Sequence, residues 1–322
     1  MGSNMLFFLE KKSFHLLIVY FFFILPLSLI FSDVDDHFKK IVDKTEGHSI
    51  RNIDFIYMIN LDQRPEKFAM SQNQLAPYGI HPFRFSAVNG WELSLEAIND
   101  IGVTFTPDMD GDFTGTSYHL DEGGKPSHET IENFGQTYFI HTFSRGGAGC
   151  ALSHLSVLQD AYDSGYETIW IMEDDVEVLS DPTAIPDLID LLDSQVGASE
   201  WDILFTDRDF RTAQGAYAPG YGATRRLGLS HHHSWKDFSF KVDVSPQFRK
   251  IANRYGTHSM IIRRSGMKKL LQFFKAHKIF APYDMDLIYV PGINLFTVSK
   301  DIIGNLSNAI SDLGVPHYLD EK

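Results

Sequence analysis

The chain has 322 residues, 43% of them hydrophobic, which is ordinary for a globular protein and long enough for a sizeable core. Its formal net charge of −14 argues against nucleic acid or anionic membrane surfaces as general partners. The single cysteine, Cys150, cannot form an intrachain disulfide, and its place among glycines points to packing.

Lys11 and Lys12 precede an almost wholly apolar run at 14–31, interrupted by His15, Tyr20, Pro26 and Ser28. The run predicts one N-terminal apolar helix, a signal anchor or signal peptide within residues 1–32. Its length, close to one bilayer crossing, favours retention, whereas Pro26 and Ser32 favour cleavage. The expected location is therefore at a membrane through this segment, or secretory or periplasmic if it is cut. Residues 33–52 are polar and read as a stalk, leaving 53–322 as the folded domain.

From there, elements alternate as in α/β enzymes with a mostly parallel central sheet. Residues 53–59 read as a strand. Pro65 suits the first turn of a helix running to about Ala76, before Pro77 and Gly79. A short strand follows at 83–85. The stretch 104–144 is long and polar, with Asp108, Asp110 and Asp112 read as a solvated turn. Next comes Arg145-Gly146-Gly147-Ala148-Gly149-Cys150, a glycine-rich entry to a helix from about Cys150 to Ser164. Leu152, Leu155 and Leu158 recur there at helical spacing. Its glycines allow close backbone approach, and its amino terminus offers N–H groups to an anion. Ser153 and His154 fall in the first turn, within reach of a ligand; alternatively His154 is a hydrogen-bonded structural histidine.

The run Ile169-Trp170-Ile171-Met172-Glu173-Asp174-Asp175 reads as a buried strand that ends in three carboxylates. Unpaired ionised carboxylates are costly out of water. They are tolerable at a strand's carboxyl end, where open α/β sheets place ligands, when they share a divalent cation. Such a site suits an enzyme handling a metal-bound diphosphate; alternatively the three acids are solvated carboxylates of a strand-to-loop turn. Residues 202–205 read as another strand, followed by Asp207 and Asp209 as rival acids. His231, His232 and His233 cannot all face one ion from a regular element, so an exposed loop is expected. A strand at 258–262 and a helix at 266–277, capped by Ser265, precede Pro282-Tyr283-Asp284-Met285-Asp286, a turn that supplies two more acids.

Four blocks of this chain, taken together and in order, resemble glycosyltransferase family 25, which includes lipooligosaccharide and collagen galactosyltransferases. They are Ile56–Lys67 with its Asn-Leu-x-x-Arg turn, Phe85-Ser86-Ala87-Val88-Asn89-Gly90, the GxGCxLSHL…EDDV layout over 146–178, and 255–271 with the following Pro-x-Asp turn. The resemblance implies a GT-A-type nucleotide-diphosphate-sugar-binding domain and an inverting transferase that favours UDP-galactose-like donors. On these blocks it places donor contacts at Asn60, Leu61, Arg64, Asn89, Gly90, Ser153 and His154. Gln63 and Lys67 depart from the family, which often has Arg at both positions, and Lys lacks the bidentate fork.

Transfer requires the charge on the departing diphosphate to be stabilised, and hard oxygen ligands suit Mn²⁺ or Mg²⁺. Asp175 is the first choice as direct ligand, with Glu173 beside it. Glu173 or Asp174 would face the ribose or a metal-bound water. The acceptor, a hydroxyl of a glycan, glycolipid or protein, needs a general base. Asp284 aligns with the family's acid, and Asp286 is the alternative. Two other classes compete: a catalytically silent carbohydrate-binding protein, and a glycoside hydrolase using paired carboxylates.

Overall fold

A computed structural model describes residues 33–119, 123–218, 220, 222 and 225–320; the apolar run at 14–31 lies outside them. Among the described residues, no helix is long and apolar enough to cross a membrane. Residues 33–52, read as a stalk, lie along the domain. Val34 is fully buried in the core, the Lys39 N–H donates to Ser156 Oγ at 2.9 Å, and Lys44 Nζ donates to Tyr57 at 3.3 Å and to Asp160.

The chain first forms β1 (Phe55–Asn60), α1 (Pro65–Leu75), β2 (Phe83–Ser86) and α2 (Leu95–Ile101). Strands β3 (Val103–Thr104), β4 (Thr114–Tyr118), β5 (Pro126–Thr130) and β6 (Thr137–Ile140) follow. The polar stretch that matched no expected element is therefore a separate antiparallel sheet, ordered β3-β6-β4-β5. Next come α3 (Arg145–Asp163), β7 (Thr168–Glu173), β8 (Val176–Val178), α4 (Ile185–Val196) and β9 (Ile203–Phe205). The remainder comprises α5 (Trp235–Phe238), β10 (Lys241–Asp243), β11 (Phe248–Ile251), β12 (Ser259–Arg263), α6 (Arg264–His277), α7 (Tyr283–Asp286), β13 (Leu295–Val298) and β14 (Ile303–Asn305).

The eight-stranded sheet has the order β10-β11-β13-β9-β12-β7-β1-β2. β1 pairs parallel with β2 and β7, and β9 pairs parallel with β13. β12 lies antiparallel between β7 and β9, and β11 antiparallel between β13 and β10, so the sheet is mixed. Successive residues of its central strands serve opposite faces, as the pleat requires. Phe55, Tyr57, Ile59, Ile169 and Ile171 pack with Leu152, Leu155 and Leu158 of α3 and with Leu270 and Phe274 of α6. Ile56, Met58, Trp170 and Met172 pack on the other side with Leu75 of α1 and Ile189 and Leu192 of α4. The result is a layered α/β/α body with both faces of the sheet covered, which explains why β1 and most of β7 are apolar without alternation.

Two helix starts differ from the sequence reading. α3 begins at Arg145, because the Ser144 Oγ caps it by accepting the Gly147 N–H at 3.0 Å. Its glycines are inside the helix, and Ser153 and His154 lie in its third turn rather than its first. Packing selects glycine here: a Cβ on Gly149 would fall 2.5 Å from the Val88 carbonyl oxygen and from the Gly90 nitrogen. Likewise, Ser265 lies within α6, and its hydroxyl donates to Asp202 at 2.6 Å instead of capping.

Candidate active site

Ile59 and Glu173 pair at the carboxyl ends of β1 and β7. A cavity of about 500 Å³ opens at this edge, where open α/β sheets place their ligands. Glu173, Asp174 and Asp175 line it, with His154 from α3 and Asp284 from α7. The Glu173 N–H donates to the His258 carbonyl at 2.9 Å, tying the end of β7 to the approach to β12. Glu173 Oε1 accepts from Thr257 Oγ1 at 2.8 Å and lies 3.2 Å from His154 Nε2. The His154 ring stacks on Tyr283, with centroids 4.6 Å apart and planes 12° from parallel. His154 is thus a positioned, fully buried ring held against Glu173.

Electrostatics separate the three acids of the β7 terminus. Burial opposes ionisation of Glu173, but the hydrogen bond and charge of His154 outweigh it and hold the carboxyl below its usual range. Burial, and then the neighbouring Asp175, push Asp174 up to about 7. Burial and Glu173 push Asp175 up to about 6. Asp174 Oδ2 accepts from Asn60 Nδ2 at 2.6 Å, whereas Asp175 Oδ1 is buried with no hydrogen-bond partner among the described residues.

These raised values give stability a definite pH dependence. Between roughly pH 4 and 7 folded Asp174 and Asp175 keep protons that the unfolded chain has released, so the stability that these two groups contribute falls as pH rises through that window. Asp174→Asn removes one such group. In chelator, the variant is expected to be more stable than wild type at pH 8, by on the order of 1–3 kcal/mol, and no more stable at pH 4. Urea unfolding at the two pH values measures this; an equal effect at both would remove the electrostatic cause.

Asp284 lines the same cavity. Its Oδ2 accepts the Gly256 N–H at 2.8 Å and its Oδ1 the Met285 N–H at 2.9 Å, while burial raises its pKa. The alternative base, Asp286, is turned away from the cavity and fully buried. Both its oxygens meet Arg226, at 2.8 and 3.1 Å, and Oδ2 also accepts the Phe280 and Ala281 N–H groups. Asp286 is a structural anchor. Asp286→Asn leaves Arg226 uncompensated inside the protein and is expected to cost about 3–5 kcal/mol of stability, read from the denaturation midpoint.

The remaining sequence candidates divide into cavity residues and the framework beneath them. Leu61, Arg64, Asn89, Gly90, Ser153 and His154 all line the cavity. Asn60 does not; it lies buried below, donating to Asp174 and to the Arg64 carbonyl, and accepting from Arg84 Nε at 2.7 Å. Ser153 Oγ donates to the Gly149 carbonyl and accepts the Val88 N–H, joining α3 to the loop after β2. Asn89 caps the short helical turn at Gly90–Glu92 through the Trp91 N–H. Arg64 is almost fully buried against Asp312. The rival acids lie elsewhere: Asp207 pairs with Arg254 and His258, Asp209 with Lys241, and neither lines the cavity. His231 and His232 are exposed, as expected of a loop.

Sequence reasoning missed Thr257, His258 and Asp312. Thr257 and His258 lie inside a recognised block but read only as a strand and its approach, whereas Asp312 carries no local signal. Cys150, assigned to packing, also lines the cavity; its sulfur, His154 and Glu173 offer donor atoms within 4.8 Å of one another. Burial beside three acids pushes the thiol well up, which disfavours its thiolate form in the absence of a metal. By donor chemistry alone, the carboxylate oxygens of the β7 terminus suit a hard cation better than a thiol does.

Residues 53–287 match the model of the family described as glycosyltransferase family 25 (LPS biosynthesis protein). A glycosyltransferase 25 family member of Drosophila melanogaster is 25% identical over 173 residues, covering 54% of this chain and 24% of that protein. One from Aedes aegypti is 26% identical over 156 residues, covering 48% and 21%. The human inactive glycosyltransferase 25 family member 3 is 23% identical over 155 residues, covering 48% and 22%. The chain thus spans about a quarter of the length of these relatives. With the matched region containing β1, the glycine-bearing α3, the acidic end of β7 and Asp284, the chain belongs to glycosyltransferase family 25.

Proposed function

We propose that this chain is a metal-dependent, inverting glycosyltransferase with a GT-A-type domain. It moves a hexose, galactose favoured, from a UDP-sugar to a hydroxyl of a glycan, glycolipid or protein acceptor. The observation that carries the reading is the convergence of Glu173, Asp174, Asp175 and Asp284 on one cavity at the carboxyl edge of the sheet.

The residues fit a hard divalent cation, Mn²⁺ or Mg²⁺. Asp175 Oδ1 is buried and lacks a partner among the described residues, and three adjacent carboxylates repel one another without a countercharge. Asp175 would hold the ion, with Glu173 beside it. When bound, the ion supplies Lewis-acid stabilisation of the charge that develops on the leaving diphosphate. His154 and Thr257 orient Glu173, and Asn60 orients Asp174. Asp284 takes the proton of the acceptor hydroxyl as its oxygen bonds to the anomeric carbon and the bond from that carbon to the diphosphate oxygen breaks. One displacement of this kind inverts the anomeric configuration. Backbone N–H groups fix both Asp284 oxygens, and burial raises its basicity.

A donor screen by nucleotide release, with and without Mn²⁺, tests the proposal. Mn²⁺-dependent release from a UDP-hexose supports it, whereas EDTA-insensitive cleavage of simple glycosides favours a hydrolase. One relative is named inactive, which keeps a silent carbohydrate-binding reading in view; no donor turnover in Mn²⁺ would favour that reading. We further propose membrane attachment through residues 14–31. Full-length protein should then stay with membranes after a carbonate wash, and a soluble product beginning near Asp33 would show a cleaved signal instead.

A further inference from the structure

Arg64 and Lys67 are the basic side chains that line the cavity near the acids, and both already hold an anion. Arg64 grips Asp312 as a fork, Nε to Oδ2 at 2.9 Å and Nη2 to Oδ1 at 3.1 Å. Lys67 Nζ donates to the Ile310 carbonyl at 2.6 Å and to Asp312 Oδ2 at 3.4 Å. Asp312 belongs to residues 306–320, which follow β14 and lie beyond the part of the chain that matches the family.

This segment crosses the cavity and is seated mainly by polar contacts. The Leu306 N–H donates to the Asp175 carbonyl at 2.7 Å, Trp91 Nε1 to the Asp312 carbonyl at 2.8 Å, and Ser144 Oγ to the Leu313 carbonyl at 2.6 Å. Gly146 admits it, since a Cβ there would fall 2.3 Å from the Leu313 oxygen. Its apolar side chains contribute little to the core: Ile310, Leu313, Val315 and Leu319 are 44–56% exposed. Polar contacts of this kind exchange readily for water or ligand, and segments with few buried apolar contacts open at low cost.

A carboxylate and a phosphate present the same two-oxygen face to an Arg fork. Resting on the donor reading above, we infer that Asp312 is an internal stand-in for the donor's diphosphate. Residues 306–320 form a strap that the donor displaces from Arg64 and Lys67. The exchange has a physical logic: without donor, a buried Arg64 lacking an anion would be strongly destabilising. With donor, one anion replaces another. Asp312 then also sets selectivity, because a ligand must bring enough negative charge to outcompete it.

Hydrogen exchange on the full chain, with UDP and Mn²⁺ and separately with pyrophosphate and Mn²⁺, tests this. Both ligands should speed exchange across 310–319 and change Trp91 fluorescence. Asp312→Asn, which keeps the shape and weakens the grip, should bind UDP about tenfold more tightly and exchange quickly across the strap without ligand. Slower strap exchange on UDP binding, or UDP affinity unchanged or weaker in Asp312→Asn, would overturn the inference while leaving the transferase reading in place. Absence of UDP binding to both proteins would overturn both. If the variant is too unstable to titrate, the wild-type exchange data decide alone.

Discussion

Asp175→Asn is expected to abolish sugar transfer while leaving the fold intact. The substitution keeps the shape of the side chain and removes the charge that a divalent cation needs. The Asp175 carbonyl, which accepts the Leu306 N–H, is untouched, so the backbone keeps its support. The buried Oδ1 makes no hydrogen bond among the described residues, and the attraction of His258 and Lys67 that is lost with the charge is smaller than the opposing effect of burial and Glu173. Removing a carboxylate whose ionisation burial opposes should, in chelator, leave the variant at least as stable as wild type. Expected results are a transfer rate at background, Mn²⁺-dependent UDP binding weakened by at least tenfold, and an unchanged circular dichroism spectrum. A wild-type rate in this variant would remove Asp175 from the metal site.

The second large effect is expected at Asp284. A general base acts on the acceptor hydroxyl and not on the donor, so Asp284→Asn should still bind metal and UDP-sugar. Its transfer rate should fall by roughly two to four orders of magnitude, the usual contribution of such a group. Transfer rate and donor affinity must both be measured. Equal losses in the two would move Asp284 into the metal and diphosphate site. The companion variant at Asp286 separates chemistry from folding, because its loss should appear in stability and not as a selective loss of turnover.

The frame of the site was legible in the sequence where one physical cause dominated. The apolar runs of β1 and β7 follow from burial on both faces, and Pro65 at the start of α1 follows from its missing N–H. The acids after β7 could be placed at a strand end because unpaired carboxylates are costly within a buried strand, but the sequence left open whether they bind a cation or face solvent. Other features depended on partners remote in the chain. Arg64 reads as a donor contact from its block, but no local pattern announces that it pairs with Asp312. The glycines of α3 read as a loop because their helix propensity is poor; tertiary packing against Val88 and Gly90 overrode it. Asp284 and Asp286 look equivalent in an extended turn, where residues two apart share a face. In α7 the backbone is helical, which swings them about 200° apart, so one faces the cavity and the other turns in to Arg226.

The strand order has a kinetic consequence. Ile169 of β7 pairs with Phe55, and Met172 pairs with Ser259, so the acidic terminus is set between strands from opposite ends of the domain. Contacts so distant in sequence close large loops before they are rewarded, and they form slowly. During refolding from denaturant, helical signal from α3 and α6 should therefore return well before nucleotide binding does. A nascent chain released before β12 has been made would carry Glu173, Asp174 and Asp175 without the strand that completes their shelter, leaving an acidic, open-edged intermediate of the kind chaperones retain.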